Sequence, residues 1–265
     1  MPVRPAKPSR PTKVTAGGRD SRRLLAVLAF IATLALPRVP VLVSLVYPLR
    51  LFATAIHEGS HALAALLTGG HVLSIQVFAN ASGVTYASGT NRFIFTSAGY
   101  LGSTLFGCLL LVGAQHRRWH RPILLALAGF FAMFTFYARS VMTMEIGLGV
   151  LAVLFIAWRW QFTDGIRYFL FDFIAFTSCL YALDDLVALV AISTGWAQAV
   201  GPSGGQTDAT ILAHLTGVGA LVWAGLWGGI SVLATAYAAR AAWRAAGGTS
   251  SAGKARSGRS RRASR

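Results

Sequence analysis

The chain has 265 residues, of which 55% are hydrophobic and 12% charged. Soluble domains carry roughly 25% charged residues, so this composition, with a mean hydropathy of +0.58, excludes an ordinary soluble enzyme and points to a membrane protein. The net charge of +16 is gathered at the ends, with seven basic residues in 1–23 and eight in 240–265. Basic ends around an apolar body read as cytoplasmic anchors near anionic lipid, and no aromatic-basic interleaving supports nucleic-acid binding.

Residues 1–23 hold Pro2, Pro5, Pro8 and Pro11 among scattered charges and read as a disordered basic tail. The apolar run Leu24–Leu36 then mimics a signal peptide. Pro37-Arg38-Val39-Pro40 follows it in place of a small-residue cleavage site, so a retained first membrane segment is expected. Six or seven hydrophobic segments lie between the tails, near 24–47, 50–68, 93–114, 122–138, 141–158, 168–193 and 215–239. A spanning helix needs about 20 apolar residues. Arg117, Arg118 and Arg121 mark one cytoplasmic loop, and Arg159 and Arg167 another. Alternation from residue 93 onward leaves the C-terminus inside. A basic N-terminus on the same side requires an even number of crossings, so one segment in 24–68 should not cross fully. Residues 24–240 form the membrane-embedded domain, and 241–265 is a second disordered basic tail.

Residues 71–90 interrupt the helical pattern. The run from His71 to Phe78 alternates, Asn80-Ala81-Ser82-Gly83 is a turn, and Val84-Thr85-Tyr86-Ala87 is a second short strand, so a small β-hairpin is expected. Open sheet edges cannot face lipid. The hairpin must therefore be buried in protein, sit at the interface or pair with another strand. Cys108 and Cys179 fall inside apolar runs and read as small buried hydrophobes.

The chemistry concentrates in His57-Glu58-Gly59-Ser60-His61. Residues four apart on a helix share a face, so both imidazoles can reach one metal ion. Glu58 can act on a water at that metal without being a ligand. Zinc lowers the pKa of such a water to about 7 and a carboxylate takes its proton. The flanks Leu51–Ile56 and Ala62–Leu67 are apolar, and ionisable groups in such a setting are functional by default.

The stretch Ala55-Ile56-His57-Glu58-Gly59-Ser60-His61-Ala62, continuing to Gly69-Gly70, resembles the site-2 protease superfamily of intramembrane zinc peptidases, in its smaller bacterial and plant branch. Ser82-Gly83-Val84-Thr85, the run from Ser97 to Gly102, the run from Tyr181 to Leu186, and Thr207-Asp208-Ala209 ahead of Leu212-Ala213-His214 resemble that branch too. The resemblance covers roughly residues 40–240. It implies zinc held by two His and one Asp from a later helix, where better-known members carry Leu-Asp-Gly. That motif is absent here, and Leu183-Asp184-Asp185 is the nearest match. Adjacent carboxylates in an apolar helix need a cation, so Asp184 or Asp185 is the expected third ligand. Asp208 is the second choice, since Thr207 or Asp208 can also serve as a helix cap. Asp172 and Glu145 are remoter candidates.

The other histidines read differently. His71 belongs at the interface, and His116 and His120 belong to a solvated loop among arginines. His214 lies at the edge of an apolar helix, from which it could approach the site. Gly99, Gly102 and Gly107, with Ser97 and Ser103, suit close helix packing or leave room for substrate.

The expected fold is an all-α polytopic membrane protein with a small β-hairpin after the metal-binding helix. The expected function is a zinc-dependent membrane endopeptidase acting on membrane-protein or peptide substrates in or beside the lipid bilayer. Glu58 is the base, and His57 and His61 are ligands. The alternatives are a catalytically silent scaffold or regulator of the same fold and a cation or proton transporter. The 21 Arg against 3 Lys suggest a GC-rich bacterium, hence a bacterial cytoplasmic membrane.

Overall fold

The computed structural model describes residues 16–36, 39, 43–159, 164–194 and 206–247. The chain order is α1 (Ala16–Ala35), α2 (Val43–Leu67), β1 (His71–Val77), β2 (Gly83–Ser88), α3 (Arg92–Gly113), α4 (Arg117–Phe136), α5 (Val141–Arg159), α6 (Asp164–Ser193), α7 (Asp208–Thr216) and α8 (Ala220–Gly247). Helices α1 and α8 reach several residues into the stretches read as tails; residues 1–15 and 248–265 lie outside the described residues.

Among the described residues, five helices are long and apolar enough to cross a membrane: α3, α4, α5, the Gly165–Leu183 part of α6, and α8. The count of six or seven is therefore slightly high. The first two apolar segments form α1 and α2 instead. Helix α2 carries Arg50, His57, Glu58 and His61 and packs against α3, α4, α5, α6 and both strands. That packing buries Glu58 and His61 away from lipid, while Arg50 near the start of the helix is exposed. The 215–239 segment divides at Gly217, whose left-handed φ of 75° caps the short α7, as glycine does without steric cost. Lipid-type exposure falls on the outer helices, where Val153, Phe155 and Leu233 are all well exposed.

Helix α3 is the hub. Asn91 caps it, its side chain accepting from the Ile94 N–H at 3.1 Å. Its small residues allow the close approaches that hold helices together without a hydrophobic drive. A Cβ on Gly102 would strike Ser60 of α2, and one on Gly107 would strike the Cys179 sulfur of α6. Thr104 and Ser231 of α8 share a hydroxyl hydrogen bond at 2.7 Å. Cys179 is buried, Cys108 is half-buried, and both are free thiols.

The expected hairpin is present as an antiparallel pair running from His71↔Ser88 to Val77↔Gly83, with an irregularity between Val72 and Ser74. Its turn is fastened to α2: the hydroxyls of Tyr47 and Thr54 each donate at 2.8 Å, to the Ala79 and Ala81 carbonyls. The outer edge of β1 is satisfied by the connection between α4 and α5. Ile75 N–H donates to the Tyr137 carbonyl at 2.9 Å, Arg139 N–H donates to the Ile75 carbonyl at 3.2 Å, and Val77 N–H donates to Thr143 Oγ1 at 2.8 Å. Pairing with another segment thus resolves the exposed-edge problem. Ile75 and Val77 then join Ala55, Ile56, Phe131 and Phe134 in a core beneath α2.

His120 departs from its expected solvated loop. Helix α4 begins at Arg117, which turns His120 inward. It is buried, its Nε2–H donates to the Ala114 carbonyl at 2.7 Å, and its ring packs on Phe171 and Tyr168. Asp172 is buried nearby and accepts from Gln115 Nε2 at 2.9 Å. Arg22 of α1 donates to Gln115 Oε1 at 2.9 Å and lies over the Tyr168 ring.

Candidate metal centre

Helical spacing brings the Nε2 atoms of His57 and His61 to 3.2 Å from each other. Asp208, the first residue of α7, places Oδ2 3.2 Å from His57 Nε2 and 3.3 Å from His61 Nε2. This is the group of three potential metal donors among the described residues, all within 4.8 Å of one another. A tetrahedral ion with bonds of about 2.0–2.1 Å separates its donors by about 3.3–3.4 Å. The three observed edges match that spacing, and two neutral imidazoles with one carboxylate make a donor set suited to such an ion.

The donors are also oriented. His61 Nδ1 lies 2.6 Å from the Phe95 carbonyl. A carbonyl only accepts, so Nδ1 carries the proton and Nε2 presents its lone pair inward. His57 meets the edge of Tyr100, with ring centroids 4.8 Å apart and planes at 87°. Gly99 is the close-approach position: a Cβ there would overlap the Nε2 atoms of both imidazoles. Burial opposes ionisation of Asp208, but positive charge on the facing His61 and His57 rings, when these are protonated, outweighs it and holds the carboxyl below the usual carboxylate range. His61 is 5% exposed at its side chain, whereas His57 and Asp208 keep 16% and 17%. The open side of the cluster therefore lies between His57 and Asp208.

Glu58 turns toward the hairpin. It is buried, and Thr85 Oγ1 on β2 lies 2.7 Å from its Oε2 and 3.0 Å from its backbone carbonyl. Gly83 backs the same carboxylate, where a Cβ would overlap it. The hairpin thus contributes one hydrogen-bonding side chain and one bare backbone position to the centre.

Of the carboxylates weighed from the sequence, Asp208 is the one beside the imidazoles among the described residues. Thr207 does cap α7, accepting from the Thr210 N–H, so capping and placement beside the histidines coexist. Asp184 and Asp185 belong to α6, but their side chains lie outside the described residues. Asp172 is engaged with Gln115, and Glu145, His71 and His214 are exposed. Thr85 and Tyr100 carry no chemical signature of their own in the sequence. Their signals were the Ser82–Thr85 and Ser97–Gly102 runs, which identify positions without saying what faces them.

No curated protein and no solved structure gives a significant match. A model of the family described as Peptidase M50B-like matches residues 24–238, which takes in α2, the hairpin and α7. Because that match spans most of the chain, the protein belongs to the Peptidase M50B-like family.

Proposed function

We propose that the protein is a zinc-dependent endopeptidase that hydrolyses peptide bonds of membrane-protein or peptide substrates within or next to the bilayer, in a bacterial cytoplasmic membrane. The observation that carries this reading is the meeting of His57, His61 and Asp208 at metal-ligand spacing, one helix position from a buried carboxylate. His57, His61 and Asp208 would hold the ion, with Asp208 preferred over Asp184 and Asp185. The partial exposure on the His57 and Asp208 side supports a catalytic centre, since catalytic sites keep one position open and structural sites do not.

When bound, zinc supplies Lewis-acid chemistry, acidifying a water and polarising a carbonyl. Glu58 takes a proton from the attacking water on one carboxylate oxygen while Thr85 holds the other. The same proton then passes from Glu58 to the departing amine, so that water and a peptide bond become an acid and an amine. Phe95 fixes the His61 tautomer through its carbonyl. Tyr100 limits rotation of His57.

The test is metal content and peptide cleavage of the purified full chain in detergent, beside Glu58→Gln. The amide keeps the shape of the side chain but accepts no proton. The variant should retain zinc and lose cleavage by at least about 10²-fold. Wild-type turnover in Glu58→Gln would remove Glu58 from the mechanism. Zinc-loaded wild type that cleaves no membrane peptide would favour the silent scaffold, and wild type that takes up no zinc would favour the transporter.

A further inference from the structure

We propose that Trp227 of α8, stacked on Tyr100, is a positioning residue that holds Asp208 and His57 in register at the metal centre; this rests on Asp208 being a ligand.

Helix α7 has nine residues. Isolated helices shorter than about 12–15 residues are marginal, so the location of Asp208 depends on what α7 packs against. Its buried residues are Ala209 and Leu212. They share one apolar cluster with Tyr100, Ala224 and Trp227. Trp227 is the largest fully buried side chain among the described residues. Its ring stacks on Tyr100 at 5.3 Å with planes 19° apart, and Tyr100 meets His57 edge-on at 4.8 Å. A chain of rings therefore runs from α8 through α3 to α2, while the same tryptophan shares its pocket with the neighbour of Asp208.

Trp223, one turn earlier on the same face of α8, holds the other end of α7. Its Nε1–H donates to Thr216 Oγ1 at 3.1 Å, and its ring meets Phe93 edge-on at 5.5 Å. The centre draws donors from α2 and α7, which arrive from distant parts of the chain. Tyr100 meets His57 of α2 directly, and Trp227 braces Tyr100 from α8 while sharing the apolar cluster that seats Ala209 and Leu212 of α7. The ring contacts of the two tryptophans run to Tyr100, Phe93 and each other, so the effect is one of placement.

Zinc affinity of the full chain in detergent, measured by competition with a chromophoric chelator, provides the test. Trp227→Met keeps a flexible apolar filler but removes the ring, and should weaken zinc binding about 10–100-fold, the usual cost of removing a residue that orients a ligand. The visible absorption of the Co2+-loaded protein should change as the donors move. Trp227→Phe, which retains a ring on Tyr100, should stay within about threefold of wild type. Tyr100→Leu breaks the same chain of rings from α3 and should match Trp227→Met. A merely structural role would lower the melting temperature and leave the zinc affinity of the folded protein unchanged. Wild-type zinc affinity in folded Trp227→Met or Tyr100→Leu overturns the proposal. Asp208→Asn in parallel separates the two readings. If it keeps wild-type zinc affinity, the ligand assignment fails and the positioning proposal falls with it. If it loses zinc while Trp227→Met does not, only the positioning proposal fails.

Discussion

Replacing Thr85 with Val removes one hydroxyl and almost no volume. That hydroxyl lies 2.7 Å from Glu58 Oε2, and both residues are buried, Glu58 at 5% and Thr85 at 8% exposure. Hydrogen bonds to charged groups contribute about 1.5–3 kcal/mol. Little solvent is present at these exposures to replace the lost donor or to screen the carboxylate. If the bond aims Glu58 at the attacking water, its loss appears in the chemical step. At about 1.4 kcal/mol per factor of ten, the expected fall in kcat is roughly 10- to 100-fold. Zinc content should be unchanged, because Thr85 touches the base and not the donors. Thr85→Ser restores the hydroxyl and should recover most of the rate. The assay is cleavage of a membrane peptide in detergent micelles at saturating substrate, with metal content measured on the same preparations. Wild-type kcat in Thr85→Val would refute the hydroxyl's role in holding Glu58. Loss of zinc alongside activity would show that β2 supports the donors instead.

The remaining predictions concern the donors, their packing and the distant polar cluster. His57→Ala and His61→Ala should each strip most of the metal from a protein that otherwise holds about one zinc per chain; full occupancy in both would dismiss the ligand assignment. Among the aspartates, Asp208→Asn should lose most zinc and Asp184→Asn and Asp185→Asn less, and the reverse order in metal analysis would return the third ligand to α6. Gly99→Ala adds a methyl where both Nε2 atoms lie, so zinc affinity should drop at least about tenfold while helicity by circular dichroism stays near wild type. Gln115→Ala leaves buried Asp172 without its amide partner, at a cost of about 1–3 kcal/mol; a melting temperature equal to wild type, followed by circular dichroism, would show that Arg22 alone satisfies that carboxylate.

Several features of this protein were legible in the sequence because they depend on local geometry. The spacing of His57 and His61 is set by the helical repeat, and any helix through these residues brings the two rings together. The hairpin followed from an alternating run and an Asn80–Gly83 turn. The membrane class followed from composition, which measures how much of the chain can tolerate lipid.

The tertiary structure decided what sequence-local signals leave open. An apolar segment does not reveal whether lipid or protein surrounds it, so an even number of crossings leaves open which segment in 24–68 stops short, whereas the structure packs other helices and both strands around α2. His120 was assigned to solvent because its neighbours are arginines, yet a helix beginning at Arg117 turns it inward. Carboxylates in an apolar helix announce that they need a partner but not which one; that is the basis of the expectation for Asp184 and Asp185, whose side chains lie outside the described residues. Asp208 carried an ordinary capping signature. Its place beside the imidazoles arises from the docking of a nine-residue helix onto α3 and α8, contacts between residues far apart in the chain. The same holds for Thr85 and Gly99. Each acts on the centre through what lies opposite it, and no periodicity along a single segment records the facing residue.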